Sequence, residues 1–238
     1  MVTRAGTLSA MGDNVEFPSN GHTSSGYLAV PDAGRGPGLI VIQEWWGLVP
    51  HITDVCDRFA NEGFVALAPD LFHGEKTTEP DEAGKLMMAM NVDQAGRDMA
   101  GAVSFLQNHD AVSGDKLGVT GFCMGGGLAM VLACQQPDAI AACVPWYGII
   151  PWEHAEPDWS ALQASVLGHF ASEDGFFTPD AARALETKLR DLGKDVEFHI
   201  YDGADHAFFN DTRPEVHDAD ASATAWSRTI EFLHAHLD

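Results

Sequence analysis

The chain has 238 residues, of which 45% are hydrophobic and 20% charged, a balance that suits one large globular domain or two small ones and excludes a disordered tail. At this length folding buries roughly 70% of the surface an unfolded chain exposes, so neither a disulfide nor a structural metal is needed. Lys and Arg number 13 against 35 Asp and Glu; the resulting net charge of −22 repels polyphosphates and anionic bilayers and argues against a nucleic-acid or membrane-surface role.

The first 20 residues carry Arg4 but no apolar stretch before Asp13, and no run approaches the ~18 apolar residues of a membrane span. Cys56, Cys123, Cys134 and Cys143 show neither CxxC nor zinc-type spacing and read as free thiols. A cytoplasmic protein is the expectation. No internal repeat or low-complexity tract interrupts the chain, so residues 1–238 are expected to form a single domain.

In chain order, residues 26–30 and 39–43 read as strands, the second almost wholly apolar, as when both faces of a sheet are covered. A helix follows at about 52–61, closed by Gly63, and then a strand at 64–68 before Pro69. Helical spacing returns over 80–90 and 93–109, where Ala95, Met99, Val103 and Leu106 share a face. Strand 117–122 runs into helix 124–136. Strands at 140–145, 165–170 and 196–201 alternate with helices at 178–192 and about 216–237. This alternation calls for an α/β fold, a mostly parallel sheet with right-handed crossovers and helices on both faces. Chemistry in such sheets gathers at the carboxyl ends of the strands.

One such end is Gly121-Phe122-Cys123-Met124-Gly125, placed between a strand and a helix. This is the setting of a nucleophile elbow, with cysteine in the nucleophile's place. Side chains at the two glycines would collide where strand and helix crowd together. The helix N-terminus behind Cys123 favours a thiolate and offers the Met124 N–H to an oxyanion. A packing thiol beside a Gly-rich turn is the ordinary alternative, but packing alone does not require both glycines. A thiol nucleophile needs a base, and His206, in the loop after the last strand, is the late histidine so placed. His199 falls inside the strand, and His217, His234 and His236 fall on the expected last helix. For the acid, Glu173 and Asp174 both fit by composition after strand 165–170, and the order Cys, acid, His is that of the α/β-hydrolase fold.

Four stretches, Gly121-Phe122-Cys123-Met124-Gly125-Gly126, Gln43-Glu44-Trp45-Trp46-Gly47, Ala68-Pro69-Asp70-Leu71 and Asp205-His206-Ala207-Phe208, occur in register from about residue 26 to 237. On these the chain resembles the dienelactone hydrolase family (carboxymethylenebutenolidases). The resemblance implies Cys123 as nucleophile, His206 as base and Asp174 as the third member. It also implies that Glu44 holds the resting cysteine and that the Trp45 N–H joins Met124 in the oxyanion hole. The family's dienelactone-cleaving members carry an arginine four residues beyond the histidine, where this chain has Asn210, and another shortly after the Pro-Asp-Leu motif, where it has Leu71-Phe72-His73. Asn and neutral His cannot supply a guanidinium's charge.

Trp45, Trp46, Phe72, Trp146, Tyr147, Phe176, Phe177 and Phe208 fall at or next to the strand ends and are expected to line a weakly polar substrate pocket, joined by His73 and Asn210 at the positions where the resemblance implies arginines, with Arg213 or Lys76 as nearby cations. The combined expectation is an ester or lactone hydrolase working through a Cys-His-Asp triad and a thioester, on neutral lactones or on aryl or short-chain esters. It calls for no metal or cofactor, for a small-molecule substrate rather than nucleic acid or membrane, and for a monomer. The alternative is a redox-active thiol at Cys123.

Overall fold

A computed structural model describes residues 11–19 and 21–238. Its strands are β1 (Asp13–Ser19), β2 (His22–Ala29), β3 (Gly36–Ile42), β4 (Val65–Pro69), β5 (Val112–Phe122), β6 (Ile140–Trp146), β7 (Ser165–Ala171) and β8 (Val196–Tyr201). They form one sheet in the order β1-β2-β4-β3-β5-β6-β7-β8. Pairing is parallel from β4 through β8, while β2 runs antiparallel to both β1 and β4. The helices are α1 (Pro50–Asn61), α2 (Pro80–Ala89), α3 (Val92–Gln107), α4 (Met124–Gln135), α5 (Pro179–Asp191) and α6 (Ala219–Leu237).

Every residue of β3 and β4 is buried, which requires cover on both faces of the sheet centre and explains their unbroken apolar runs. α1 and α6 adjoin in one layer, with Phe59 4.5 Å from the Trp226 ring, and α3 and α4 pack together in the other. This is the mostly parallel α/β sheet covered on both faces that the alternating pattern calls for, and the α/β-hydrolase fold that the resemblance implies.

Several elements depart from the sequence reading, among them β2 and β5, which start at His22 and Val112 rather than at 26 and 117. β1 went unread because its residues DNVEFPS carry one large apolar anchor, Phe17, which packs on Phe105 at 5.6 Å, while most of the strand is solvent-facing at the sheet edge. α6 begins at Ala219, capped by the Asp218 carboxylate accepting from the Asp220 and Ala221 N–H groups, so His217 precedes the helix.

Register brings the strand ends together. Gly121 pairs with Ile42 on β3 and with Pro145 on β6, and Ala171 pairs with Tyr201. The loops after β3, β5, β7 and β8 therefore rise from one edge of the sheet.

Candidate active site

At the end of β5 the chain turns into α4 through Cys123, whose φ of 55° and ψ of −122° lie outside the regions a side-chain-bearing residue ordinarily adopts. The surrounding backbone enforces this conformation. A Cβ at Gly121 would stand 2.1 Å from the Gly125 carbonyl oxygen, and one at Gly125 would stand 2.5 Å from the carbonyl oxygens of Ile42 and Gln43. The Cys123 N–H donates to the Trp146 carbonyl at 3.0 Å, tying the turn to β6. Met124 opens the helix, so its N–H has no acceptor within that helix.

His206 sits in the loop after β8. Its Nδ1 lies 2.8 Å from Asp174 Oδ2, and its ring borders the same cavity as Cys123. Asp174 is fixed in turn, because its Oδ1 accepts the N–H groups of Phe176 at 2.7 Å and Phe177 at 2.9 Å. The loop that carries it is tied to the β8 end by the Glu173 N–H donating to the Ala204 carbonyl at 2.9 Å. Of the two carboxylates left open by composition, Asp174 is buried against the imidazole, while Glu173 is exposed and accepts from Ser172 Oγ. Burial pulls the His206 pKa down, but the bonds to Asp174 and Cys123 outweigh it, and the value is pushed up to about 10.

Cys123 and His206 share a cavity of about 220 Å³ with Glu44, Trp45, Trp46, Pro80, Phe176, Ala207 and Arg213. Phe176, 75% exposed, stands at its mouth, 5.3 Å from the His206 ring. Glu44 is 1% exposed. Its Oε2 accepts from Asn210 Nδ2 at 3.0 Å, and its Oε1 has no hydrogen-bond partner among the described residues. The hydrogen bond found for this carboxylate thus goes to Asn210 rather than to the resting cysteine. Tyr147 is fully buried beside Glu44 and Cys123; burial first, and the Glu44 carboxylate second, push its phenol far above the usual range.

Several expected pocket residues lie elsewhere. Phe72 and His73 line a separate groove with α2 and α3, where His73 Nε2 lies 3.2 Å from the buried Asp98 carboxylate; the Asp70 turn, accepting the Phe72 and Gly74 N–H groups, directs them there. Trp146 and Phe208 are fully buried and pack on each other and on Phe209 and Tyr201, so they are core beneath the cavity. Tyr147 and Phe177 contact the His206 ring, at 5.4 and 5.8 Å, and form its packing shell rather than the cavity wall. Trp46 does line the cavity, and Asn210 lines an adjoining one. Phe176, expected among the site's aromatics, and Arg213, expected as a nearby cation, both line the cavity, whereas the expectation omitted Pro80 and Ala207. Ala207 adjoins His206 closely enough for adjacency to have marked it, whereas Pro80 opens α2 and reaches the site only through the tertiary fold.

Residues 25–237 match the profile of the Dienelactone hydrolase family. The chain belongs to that family. It is 40% identical over 233 residues, 95% of this chain and 100% of the relative, to "Protein usf" of Aquifex pyrophilus. A provisionally named carboxymethylenebutenolidase of Aquifex aeolicus is 34% identical, with the same shares covered. Among solved structures, a provisionally named dienelactone hydrolase from Klebsiella pneumoniae superposes with a TM-score of 0.85 at 28% identity, covering 94% of this chain and 98% of that one. Membership in the dienelactone hydrolase family makes this protein a hydrolase of ester or lactone bonds. Among the described residues no helix is long and apolar enough to cross a membrane.

Proposed function

We propose that the protein hydrolyses esters or lactones by covalent catalysis, with Cys123 as nucleophile, His206 as base and Asp174 as its orienting acid. The observation that carries this reading is the cavity that His206, held by Asp174 Oδ2 at 2.8 Å, shares with Cys123, a strained turn residue at a helix N-terminus. Cys123 Sγ attacks the carbonyl carbon and forms a C–S bond as the C=O electron pair moves to oxygen. The N–H groups of Met124 and Trp45 receive that oxyanion. The thiol proton held by His206 passes to the departing alkoxide as the C–O bond breaks. Water then attacks the thioester, His206 takes the water's proton, and the C–S bond breaks to return the thiolate. Asp174 keeps Nδ1 protonated, so Nε2 faces the reaction throughout.

Glu44, buried beside Tyr147 and bonded to Asn210, opposes a free thiolate on its side of the cavity until a substrate enters. Family membership favours this hydrolytic reading over a redox role for Cys123. Cys123→Ala is expected to abolish turnover of 4-nitrophenyl acetate while the circular dichroism and melting temperature stay near those of the parent. Activity retained in that variant refutes the assignment. Cys123→Ser is expected to keep trace activity with a shifted pH profile, because a hydroxyl depends more heavily on its base.

A further inference from the structure

At about 220 Å³ the reaction cavity is smaller than the roughly 300–1,000 Å³ of most small-molecule pockets. It encloses the scissile bond and little more, so the rest of a substrate emerges at the mouth, where Phe176 stands 75% exposed. Among the described residues three aromatic rings pack around His206. Tyr147, at 5.4 Å, is fully buried, and Phe177, at 5.8 Å, is half-buried; neither borders the cavity. Phe176, at 5.3 Å, does border it and leaves most of its apolar surface in water. Its backbone is fixed, because the Phe176 N–H donates at 2.7 Å to Asp174 Oδ1 and the same carboxylate holds the base through Oδ2.

The proposed chemistry decides which half of an ester meets this ring. His206 hands its proton to the departing alkoxide, so the leaving oxygen comes within about 3 Å of the imidazole. The acyl carbon instead stays bonded to Cys123 Sγ. A group on the leaving oxygen therefore starts beside the ring that is both next to the base and open to solvent. The cavity lining also includes Trp45, Trp46, Pro80 and Ala207, so contact there is mainly apolar. A flat aromatic group laid on Phe176 removes apolar surface from water and adds an offset or edge-on ring pair.

We infer that Phe176 selects the alcohol half of the substrate, and that this half carries an aromatic ring packed on Phe176 at the cavity mouth. The inference deepens the hydrolase reading above and rests on its assignment of His206 as proton donor to the leaving oxygen.

The test uses two pairs of neutral esters. Benzyl acetate and cyclohexylmethyl acetate carry a ring on the alcohol half; methyl phenylacetate and methyl cyclohexylacetate carry the same rings on the acyl half. The saturated partner keeps the bulk and lacks the π face, and comparing a variant with the parent cancels each ester's intrinsic reactivity. Phe176→Leu is expected to lower the ratio of kcat/KM for benzyl acetate to that for cyclohexylmethyl acetate about threefold to tenfold, chiefly through a higher KM for benzyl acetate, and to change the acyl-side ratio by less than about twofold. Phe176→Tyr is expected to keep the alcohol-side preference. Both variants retain the backbone N–H that Asp174 accepts, and the exposed position leaves the core packing alone. An alcohol-side ratio unchanged in Phe176→Leu, an equal or larger fall on the acyl side, or the same loss in Phe176→Tyr overturns the inference alone. So does a parent protein that hydrolyses 4-nitrophenyl acetate and leaves benzyl acetate uncleaved. A parent inactive on 4-nitrophenyl acetate and on all four esters overturns the hydrolase reading and the inference with it.

Discussion

Asp174→Asn isolates the acid of the proposed triad without changing its size. Asp174 Oδ1 holds the Phe176 and Phe177 N–H groups, and an asparagine keeps an oxygen there. The loop should therefore stay in place. The opposite edge then presents an NH2 group to His206 Nδ1, where a carboxylate oxygen stood at 2.8 Å, and the ring is driven to the tautomer with its proton on Nε2. Burial works against the imidazolium, yet its pKa stands at about 10 against an ordinary 6.5, which corresponds to roughly 5 kcal/mol at about 1.4 kcal/mol per pH unit. Asp174 and Cys123 supply this together. If Asp174 accounts for about half, its loss removes ~2–3 kcal/mol from the imidazolium that accompanies the reactive thiolate, a factor of roughly 30–150 in the equilibrium that forms this pair from neutral thiol and imidazole. The wrong tautomer extends the expected fall in kcat/KM to about 10²–10⁴.

Initial rates on 4-nitrophenyl acetate from pH 5 to 10 measure this fall. The sign of the accompanying stability effect is also fixed. A histidine pKa raised on folding contributes stability that is full below about 6.5 and disappears as pH climbs through about 10. The parent's advantage over Asp174→Asn in urea unfolding should therefore be larger at pH 6 than at pH 10. Activity within threefold of the parent across the pH range, or a stability gap that widens with alkalinity, refutes the reasoning.

Two further outcomes follow from packing. Gly121→Ala places a methyl group 2.1 Å from the Gly125 carbonyl oxygen, a clash of backbone against backbone, and should cost about 3 kcal/mol or more in urea unfolding with loss of esterase activity; a cost under 1 kcal/mol contradicts the crowding described at the elbow. All four cysteines are buried, but Cys123 borders a cavity, whereas burial pushes the Cys56 and Cys143 thiols well up and Cys134 up to about 11. Native protein at pH 7.5 should thus take up one equivalent of iodoacetamide, at Cys123, and four in urea; mass spectrometry finding the native label on another cysteine defeats this account.

The order of elements and the elbow were legible because each is written in short-range chemistry. Apolar runs such as 39–43 and 64–68 mark strands covered on both faces, and Gly121, Cys123 and Gly125 stand within five residues of one another. The His206 loop was legible for the same reason, as a turn directly after a strand. β1 was not, since an edge strand with one buried aromatic lacks the strong alternation that a half-buried strand displays.

By itself the sequence determined which residue types are available at each strand end, since local periodicity and turn chemistry act over a few residues. Tertiary structure alone decided where those side chains point. It sent Phe72 and His73 to a groove beside α3, took Trp146 and Phe208 into the core, and turned Glu44 toward Asn210. It also brought Pro80 and Arg213, about 130 residues apart, to the cavity of Cys123. Direction is a property of packing between elements distant in the chain, and the free energies that set it are summed only when the sheet and both helical layers close.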